Sequence, residues 1–239
     1  ERERLLGDRE RGGNWKVRSA AGLLFRREWC PVLARAPAPE DLEAVVRGWD
    51  LAGTEKREDN NPAWTAGVLI GRYRKRAVIE RTRWVVLHVS RGQISPAKVE
   101  RRVKDLADAD HVAWGARVRI PQDPGQAGKD QAQRYVAMLA GHDARARIES
   151  GDKETRFNPF SAQAEQGNVD VVRGSWNDDY LRSLEAFPDG RVKDDADATS
   201  AAFDELLQFA GQLDISGGAA VAGSAADRDE RGSPWNMGR

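Results

Sequence analysis

A buried β-strand that ends on an acid is predicted by Ala44-Val45-Val46-Arg47-Gly48-Trp49-Asp50-Leu51. Two further runs rich in β-branched and aromatic residues, 64–73 and 78–89, predict a second and a third strand. The connection between these two runs is short and polar, as in β-hairpins. We therefore expect the sheet to begin with three antiparallel strands, the first of which presents Asp50 at its carboxyl end.

Helices and strands alternate after this meander. Ser95-Pro96 predicts the start of a helix, because serine caps helices and proline fits their first turn. A strand at 115–120 follows and ends at Pro121-Gln122-Asp123. Later elements are predicted as helices at 126–139, 160–166, 176–187 and 194–209, and as strands at 144–148 and 169–172. This order predicts an α/β fold with a mixed central sheet, antiparallel first and then built of crossover units, flanked by helices.

The composition excludes several classes of protein. Of the 239 residues, 40% are hydrophobic, and no run approaches the roughly 18 apolar residues that a membrane helix needs. The first residues are charged, so no signal peptide is predicted. The single cysteine, Cys30, excludes a disulfide framework.

Basic and acidic residues are equal in number over the whole chain, but they are distributed unevenly along the sequence. Lys+Arg and Asp+Glu number 38 each, which excludes a uniformly basic nucleic-acid binder. Residues 71–120, however, carry 13 basic and 5 acidic side chains, and most of the basic residues are arginine, which binds phosphate through a planar, bidentate group. Nucleic-acid contact by this region therefore stays open beside the simpler interpretation of a solvated surface.

Three regions are distinguished along the chain. Residues 1–40 are rich in arginine and glycine and then in proline, which predicts a linker or the end of a larger unit. Residues 41–211 hold the ordered pattern and are predicted to form one domain. Residues 212–239 lack apolar periodicity and are predicted to be a disordered tail.

Four aspartates occupy positions that this fold would bring to one edge of the sheet. Asp50 and Asp123 each follow a strand, while Asp194 and Asp197 open the last helix and share one of its faces. Each acid alone has a simpler explanation, as a turn residue or a helix cap. Gathered together, however, carboxylates repel one another unless a cation neutralises them, and their oxygens suit Mg²⁺. A divalent-metal site is therefore one interpretation of the pattern, and separate roles in turns and in a helix cap stay open beside it.

Other motifs are weaker. The Gly125-Gln126-Ala127-Gly128-Lys129 string lacks the spacing of a nucleotide-binding P-loop, so ATP binding is not predicted. Lys129 would still lie near a helix N-terminus, where it contacts either a phosphate or solvent. The three histidines have neither zinc-site nor catalytic-triad spacing. The tryptophans are interpreted as packing residues rather than as platforms for base stacking.

Five short strings carry a resemblance to a known family. They are Phe25-Arg26-Arg27-Glu28-Trp29, Arg47-Gly48-Trp49-Asp50-Leu51-Ala52-Gly53-Thr54, Ile120-Pro121-Gln122-Asp123-Pro124-Gly125-Gln126-Ala127-Gly128-Lys129, Ser175-Trp176-Asn177-Asp178 and Phe187-Pro188-Asp189-Gly190. In this order they resemble the C-terminal nuclease part of the large terminase subunit of tailed bacteriophages, over about residues 22–210. The string that contains Asp123 is the most specific.

The resemblance implies an RNase H-like fold and metal-dependent endonucleolytic cleavage of concatemeric double-stranded viral DNA. It implies two Mg²⁺ or Mn²⁺ ions. Asp50 would bridge both ions, Asp123 and Asp194 would each hold one, and Asp197 would be an accessory ligand. It also implies partners: a packaging ATPase domain of the full-length protein, which residues 1–40 would follow, a portal and a small terminase subunit. The expected location is the host cytoplasm, without a membrane.

One string departs from the family. Relatives usually carry His-Asp-Asp at the start of the last helix, whereas this chain has Val192-Lys193-Asp194. Lys193 would either weaken cation binding or bind a phosphate of DNA. The other predicted DNA contacts are Arg72, Arg74, Lys75, Arg76 and Lys129.

Two alternatives to the terminase nuclease stay open. The first is another RNase H-like nuclease, of the Holliday-junction resolvase or RNase H type. The second is a catalytically weak module that binds DNA or docks a motor, which the replacement at Val192-Lys193 keeps open.

Overall fold

The structure, a computed structural model, describes residues 24–52, 54–75 and 81–219. The strands are β1 Val32–Leu33, β2 Leu42–Asp50, β3 Thr65–Lys75, β4 Arg81–Gly92, β5 Arg117–Gln122, β6 Ala144–Ile148 and β7 Val169–Val172. The helices are α1 Pro96–Trp114, α2 Gln126–Met138, α3 Lys153–Glu165, α4 Asn177–Ala186 and α5 Asp194–Ala219, and short 3₁₀ turns lie at Arg27–Trp29 and Pro39–Asp41.

The seven described strands form one mixed sheet in the order β1-β7-β4-β3-β2-β5-β6. β2, β3 and β4 are antiparallel, as the meander predicts. β5 pairs in parallel with β2, and β6 with β5; on the other side β7 is parallel to β4, and β1 to β7. The predicted α/β fold with a mixed central sheet and flanking helices is therefore confirmed, with β2 near its centre.

Helix α5 packs unusually close to β2, and this contact sets which way Asp50 faces. A Cβ atom at Gly48 would lie 2.6 Å from the carbonyl oxygen of Ala198 and would also collide with the backbone nitrogen of Ala202. Only glycine fits at this position, because the helix backbone occupies the space of a side chain. Residues two apart on a strand share a face, so Asp50 lies on the face that α5 covers.

The opposite face of the sheet is covered by α1 and α2. Trp49 is fully buried there with Val103 of α1, Ile120 of β5 and Leu139. A larger apolar cluster fills the α5 face and joins the sheet to α3 and α4. The two apolar layers hold β2 rigidly, so the end of this strand is a well-supported position for a functional side chain.

The segment before residue 41 contributes to the fold, which the sequence pattern did not predict. Leu24 and Phe25 are buried in the larger cluster, and β1 pairs with β7. The boundaries at residues 41 and 211 stay predictions, although α5 continues past 211 to Ala219. Of the tail predicted at 212–239, residues 212–219 are helical and belong to α5, and residues 220–239 lie outside the described residues.

One local difference from the predicted elements has a clear cause. The helix predicted at 160–166 begins earlier, at Lys153, because the Asp152 side chain accepts a hydrogen bond from the Thr155 N–H at 2.8 Å and caps the helix.

Within the described ranges, no helix is both long enough and apolar enough to span a membrane.

Candidate metal centre

Three of the predicted acids converge at the carboxyl end of β2. Asp50 ends this strand, and Asp194 and Asp197 lie in the first turn of α5. Burial raises the pKa of Asp50 from its ordinary value to about 8, and the negative charges of Asp197 and then Asp194 add to that rise. The carboxylates are therefore close enough to repel one another, which is the situation that a divalent cation relieves.

Asp194 is fixed by the backbone that leads into β3. Its Oδ1 accepts a hydrogen bond from the Trp64 N–H at 2.9 Å, and the residue is only 9% exposed. Asp50 pairs with Ala66 in the sheet, two residues after Trp64. The start of α5, the entry to β3 and the end of β2 therefore meet at one point.

Asp197 is neutralised by two basic residues of α3. Lys153 Nζ binds its Oδ2, and Arg156 Nη2 donates to its Oδ1 at 2.8 Å. Arg156 Nη1 also donates to Glu149, just after β6, at 2.5 Å. Lys153 lowers the pKa of Asp50, whereas Glu149 raises it. The two basic side chains of α3 thus supply at Asp197 the positive charge that a bound metal ion would otherwise supply.

The sequence analysis missed these three neighbours. Glu149 follows a strand of the parallel set, so the rule that selected Asp123 could also have selected it. Lys153 and Arg156 are three residues apart and share a face of α3, but only the tertiary fold shows that this face meets α5.

Asp123 lies at the same edge of the sheet but does not join the group. β5 is parallel to β2, with Arg119 opposite Gly48, so the carboxyl ends of both strands point the same way. Asp123 is exposed and is not among the groups that contribute most to the pKa of Asp50. Gly128 packs against it, since a Cβ there would lie 2.8 Å from the Asp123 Cβ.

The donors suit a hard divalent cation, although they are not arranged as a finished site. Among the described residues, no group of three or more His, Cys, Asp or Glu side chains is placed to hold a metal ion. Asp50 and Asp194 offer carboxylate oxygens, the ligands that Mg²⁺ and Mn²⁺ prefer. A cation bound by Asp197 as well would have to displace Lys153 or Arg156 from its oxygens.

A fourth acid of α5, Asp195, has a structural role that the sequence did not reveal. It is fully buried, pairs with Arg91 Nε at 3.3 Å and accepts a hydrogen bond from Ser183 Oγ at 2.5 Å. Burial raises the pKa of Asp195 to about 6, while Arg91 and Ser183 oppose that rise. Arg91 also lies over the Trp64 ring, 4.8 Å from its centroid, and so ties β4 to the start of α5.

The predicted DNA contacts are spread over the molecule. Arg72 forms an ion pair with Glu43 across the β2–β3 pair at 3.1 Å, and little of its side chain is exposed. Lys129 and Lys193 are exposed, at the starts of α2 and α5. The backbone of 74–75 ends β3, and Arg76 lies outside the described residues. DNA contact by any of these residues stays a prediction.

Comparison with known proteins agrees with this architecture. A family model described as the terminase RNaseH-like domain matches residues 47–206. The large terminase nuclease of the thermophilic phage G20c with bound cobalt is 14% identical, covers 78% of this chain and 98% of its own, and has a TM-score of 0.52. The human cytomegalovirus terminase nuclease domain, soaked with manganese and inhibitor-bound, is 12% identical. The match covers 77% of this chain and 95% of that chain, with a TM-score of 0.53.

A third solved structure gives the same result. The G20c nuclease with bound zinc is 13% identical, covers 74% of this chain and 94% of its own, and has a TM-score of 0.50. At these identities the likeness concerns the fold. No curated protein sequence matches the chain significantly.

Proposed function

This chain belongs to the terminase RNase H-like nuclease domain family, and we propose that it cuts concatemeric double-stranded viral DNA during genome packaging. The observation that carries the proposal is the convergence of Asp50, Asp194 and Asp197 at the carboxyl end of β2, with the pKa of Asp50 raised by burial and by the other two acids. A nuclease site needs clustered carboxylates of this kind when divalent ions bind the scissile phosphate.

The residues that would hold the cations are assigned as follows. Asp50 would bridge two ions of Mg²⁺ or Mn²⁺, Asp123 and Asp194 would each hold one, and Asp197 would be an accessory ligand. When bound, such ions activate a water molecule and stabilise the leaving 3′ oxygen of an in-line displacement at phosphorus. No histidine base is required.

The chain itself contributes charge balance and rigidity. Lys153 and Arg156 bind Asp197 and limit the repulsion between the acids. The N–H of Trp64 orients one oxygen of Asp194, and the ion pair of Arg91 with Asp195 holds the start of α5 in place. The contacts of Trp64 and Arg91 fix the start of α5 without a cation, which is the preorganisation that catalysis needs.

Digestion of a supercoiled plasmid with Mn²⁺ tests the proposal. We expect the wild-type chain to nick and linearise the plasmid, and Asp50→Asn to lose this activity. Glu165→Gln is the matched control, because Glu165 is an exposed acid near the end of α3, and it should cut like the wild type. Equal cutting by Asp50→Asn and the wild type would refute the site.

The structure of the nucleic acid that is cleaved distinguishes a terminase nuclease from another RNase H-like nuclease. Cleavage of linear duplex DNA supports a terminase, whereas a strict requirement for a four-way junction or an RNA–DNA hybrid supports a resolvase or an RNase H. The partners proposed with the terminase reading are the packaging ATPase domain of the same protein, a portal and a small terminase subunit, in the host cytoplasm.

One observation favours a second candidate function, a catalytically weak module that binds DNA or docks a motor. Both oxygens of Asp197 are already bound by basic side chains, and Lys193 stands beside Asp194. Calorimetric titration with Mn²⁺ distinguishes the two candidates. A nuclease should bind Mn²⁺ in a manner that Asp50→Asn weakens, whereas a docking module should show no carboxylate-dependent binding.

A further inference from the structure

A pocket of about 340 Å³ is lined by Asp194 and adjoins the group of acids. Its walls come from the loop that precedes β3, which includes Trp64, and from the loop that precedes α5, which includes Arg191 and Lys193. Lys153 lines it as well, so the pocket adjoins the site at which this residue binds Asp197. Its size lies within the range of small-ligand sites, roughly 300–1,000 Å³.

The charge of this pocket favours an anion. Three of its side chains are basic and only Asp194 is acidic. Lys153 is committed to Asp197, but Arg191 and Lys193 are exposed and, in the described part of the chain, neither forms an ion pair with an acid. Two unpaired cations separated by a single residue can bind one phosphate group from two sides.

Trp64 gives the same pocket an aromatic wall. The guanidinium of Arg91 lies over its ring, and its backbone N–H is bonded to Asp194, so the indole is held in a fixed position. The side chain is partly exposed and lines the pocket. Aromatic rings held beside basic side chains suit nucleotides, because a base packs on the ring while the cations bind the phosphate.

We propose that this pocket is a subsite for one nucleotide of the DNA strand next to the scissile phosphate. Arg191 and Lys193 bind its phosphate, and Trp64 packs against its base. The inference rests on the proposed nuclease function and adds a substrate contact to it.

The first test measures the affinity of the full chain for a fluorescent DNA duplex by anisotropy over a series of salt concentrations. All proteins carry Asp50→Asn, so no cleavage interferes. We expect Arg191→Ala with Lys193→Ala to weaken binding several-fold and to reduce the slope of log K against log salt by about one. The matched control is Lys104→Ala with Arg182→Ala, which removes the same two charges from α1 and α4 and should leave both values unchanged.

The second test locates the base without altering the pocket. DNA with a photoreactive iodouracil at successive positions is cross-linked to the chain, and the modified residue is identified by mass spectrometry. We expect an adduct on Trp64 from a position adjacent to the cleaved bond. Adducts only on other residues, or an unchanged salt slope in the Arg191 and Lys193 variant, would overturn the subsite.

These experiments distinguish a failure of the subsite from a failure of the proposed nuclease function. If the wild-type chain cuts DNA but the double variant binds as tightly as its control, the subsite is wrong and the nuclease assignment stands. If the wild-type chain does not cut, yet binding depends on Arg191 and Lys193 and Trp64 is cross-linked, the nuclease assignment fails and nucleotide binding by the pocket stands.

Discussion

Replacing Asp50 by asparagine should stabilise the cation-free protein at alkaline pH while abolishing cleavage. The pKa of Asp50 rises from 3.8 to about 8 on folding, chiefly through burial. Because the folded protein binds this proton more tightly than the unfolded chain, the stabilisation is present in full below about pH 4 and is lost as pH rises through about 8. A shift of this size corresponds to at most about 6 kcal/mol, and to less where water reaches the partly exposed carboxylate.

Urea unfolding in the presence of a chelator at pH 5 and pH 8 measures this effect. We expect the wild-type free energy of unfolding to fall between these pH values more steeply than that of Asp50→Asn. Asp123→Asn is the matched control, because Asp123 is exposed and, within the described residues, its carboxylate makes no ion pair or hydrogen bond. The free energy of unfolding of Asp123→Asn should depend on pH as that of the wild type does, while this variant should also lose cleavage. If the free energy of unfolding of Asp50→Asn fell with pH as steeply as that of the wild type, the acids would not cluster as described.

Three other predictions concern separate parts of the molecule. Gly48→Ala should lower the free energy of unfolding by about 1–3 kcal/mol or more, measured by urea denaturation, because the new Cβ collides with the backbone of α5. Lys153→Met should destabilise the cation-free protein, since Asp197 keeps only Arg156, and added Mn²⁺ should restore part of its melting temperature. Cys30 should not react with a thiol reagent at pH 8 until urea unfolds the chain, because burial raises the pKa of its thiol to about 12; rapid native labelling would contradict this.

Much of the sheet could be predicted because its signals are local. A short apolar run that ends on an acid marks β2, and the short connection after β3 fixes the antiparallel partner of β3, so Asp50 could be placed at a strand end from sequence alone. The opening of α5 by Asp194 and Asp197 is equally local. What sequence supplies here is the position of each acid along its own element.

The surroundings of these acids could not be predicted, because they depend on contacts between distant parts of the chain. Lys153 reaches Asp197 across 44 residues, and Trp64 reaches Asp194 across 130. Asp195 gives no signal in sequence, because it is an acid of the same helix turn as Asp194 and Asp197 and is distinguished only by its ion pair with Arg91 of β4. β1 is too short for its periodicity to be recognised.

The contact of Lys153 and Arg156 with Asp197 has a consequence for how the site would take up metal. Lys153 and Arg156 occupy both oxygens of Asp197, so a divalent ion would bind there only by displacing an ammonium or guanidinium group. The net charge of the site then changes by less than two, which makes loading less sensitive to ionic strength than at an uncompensated acidic cluster.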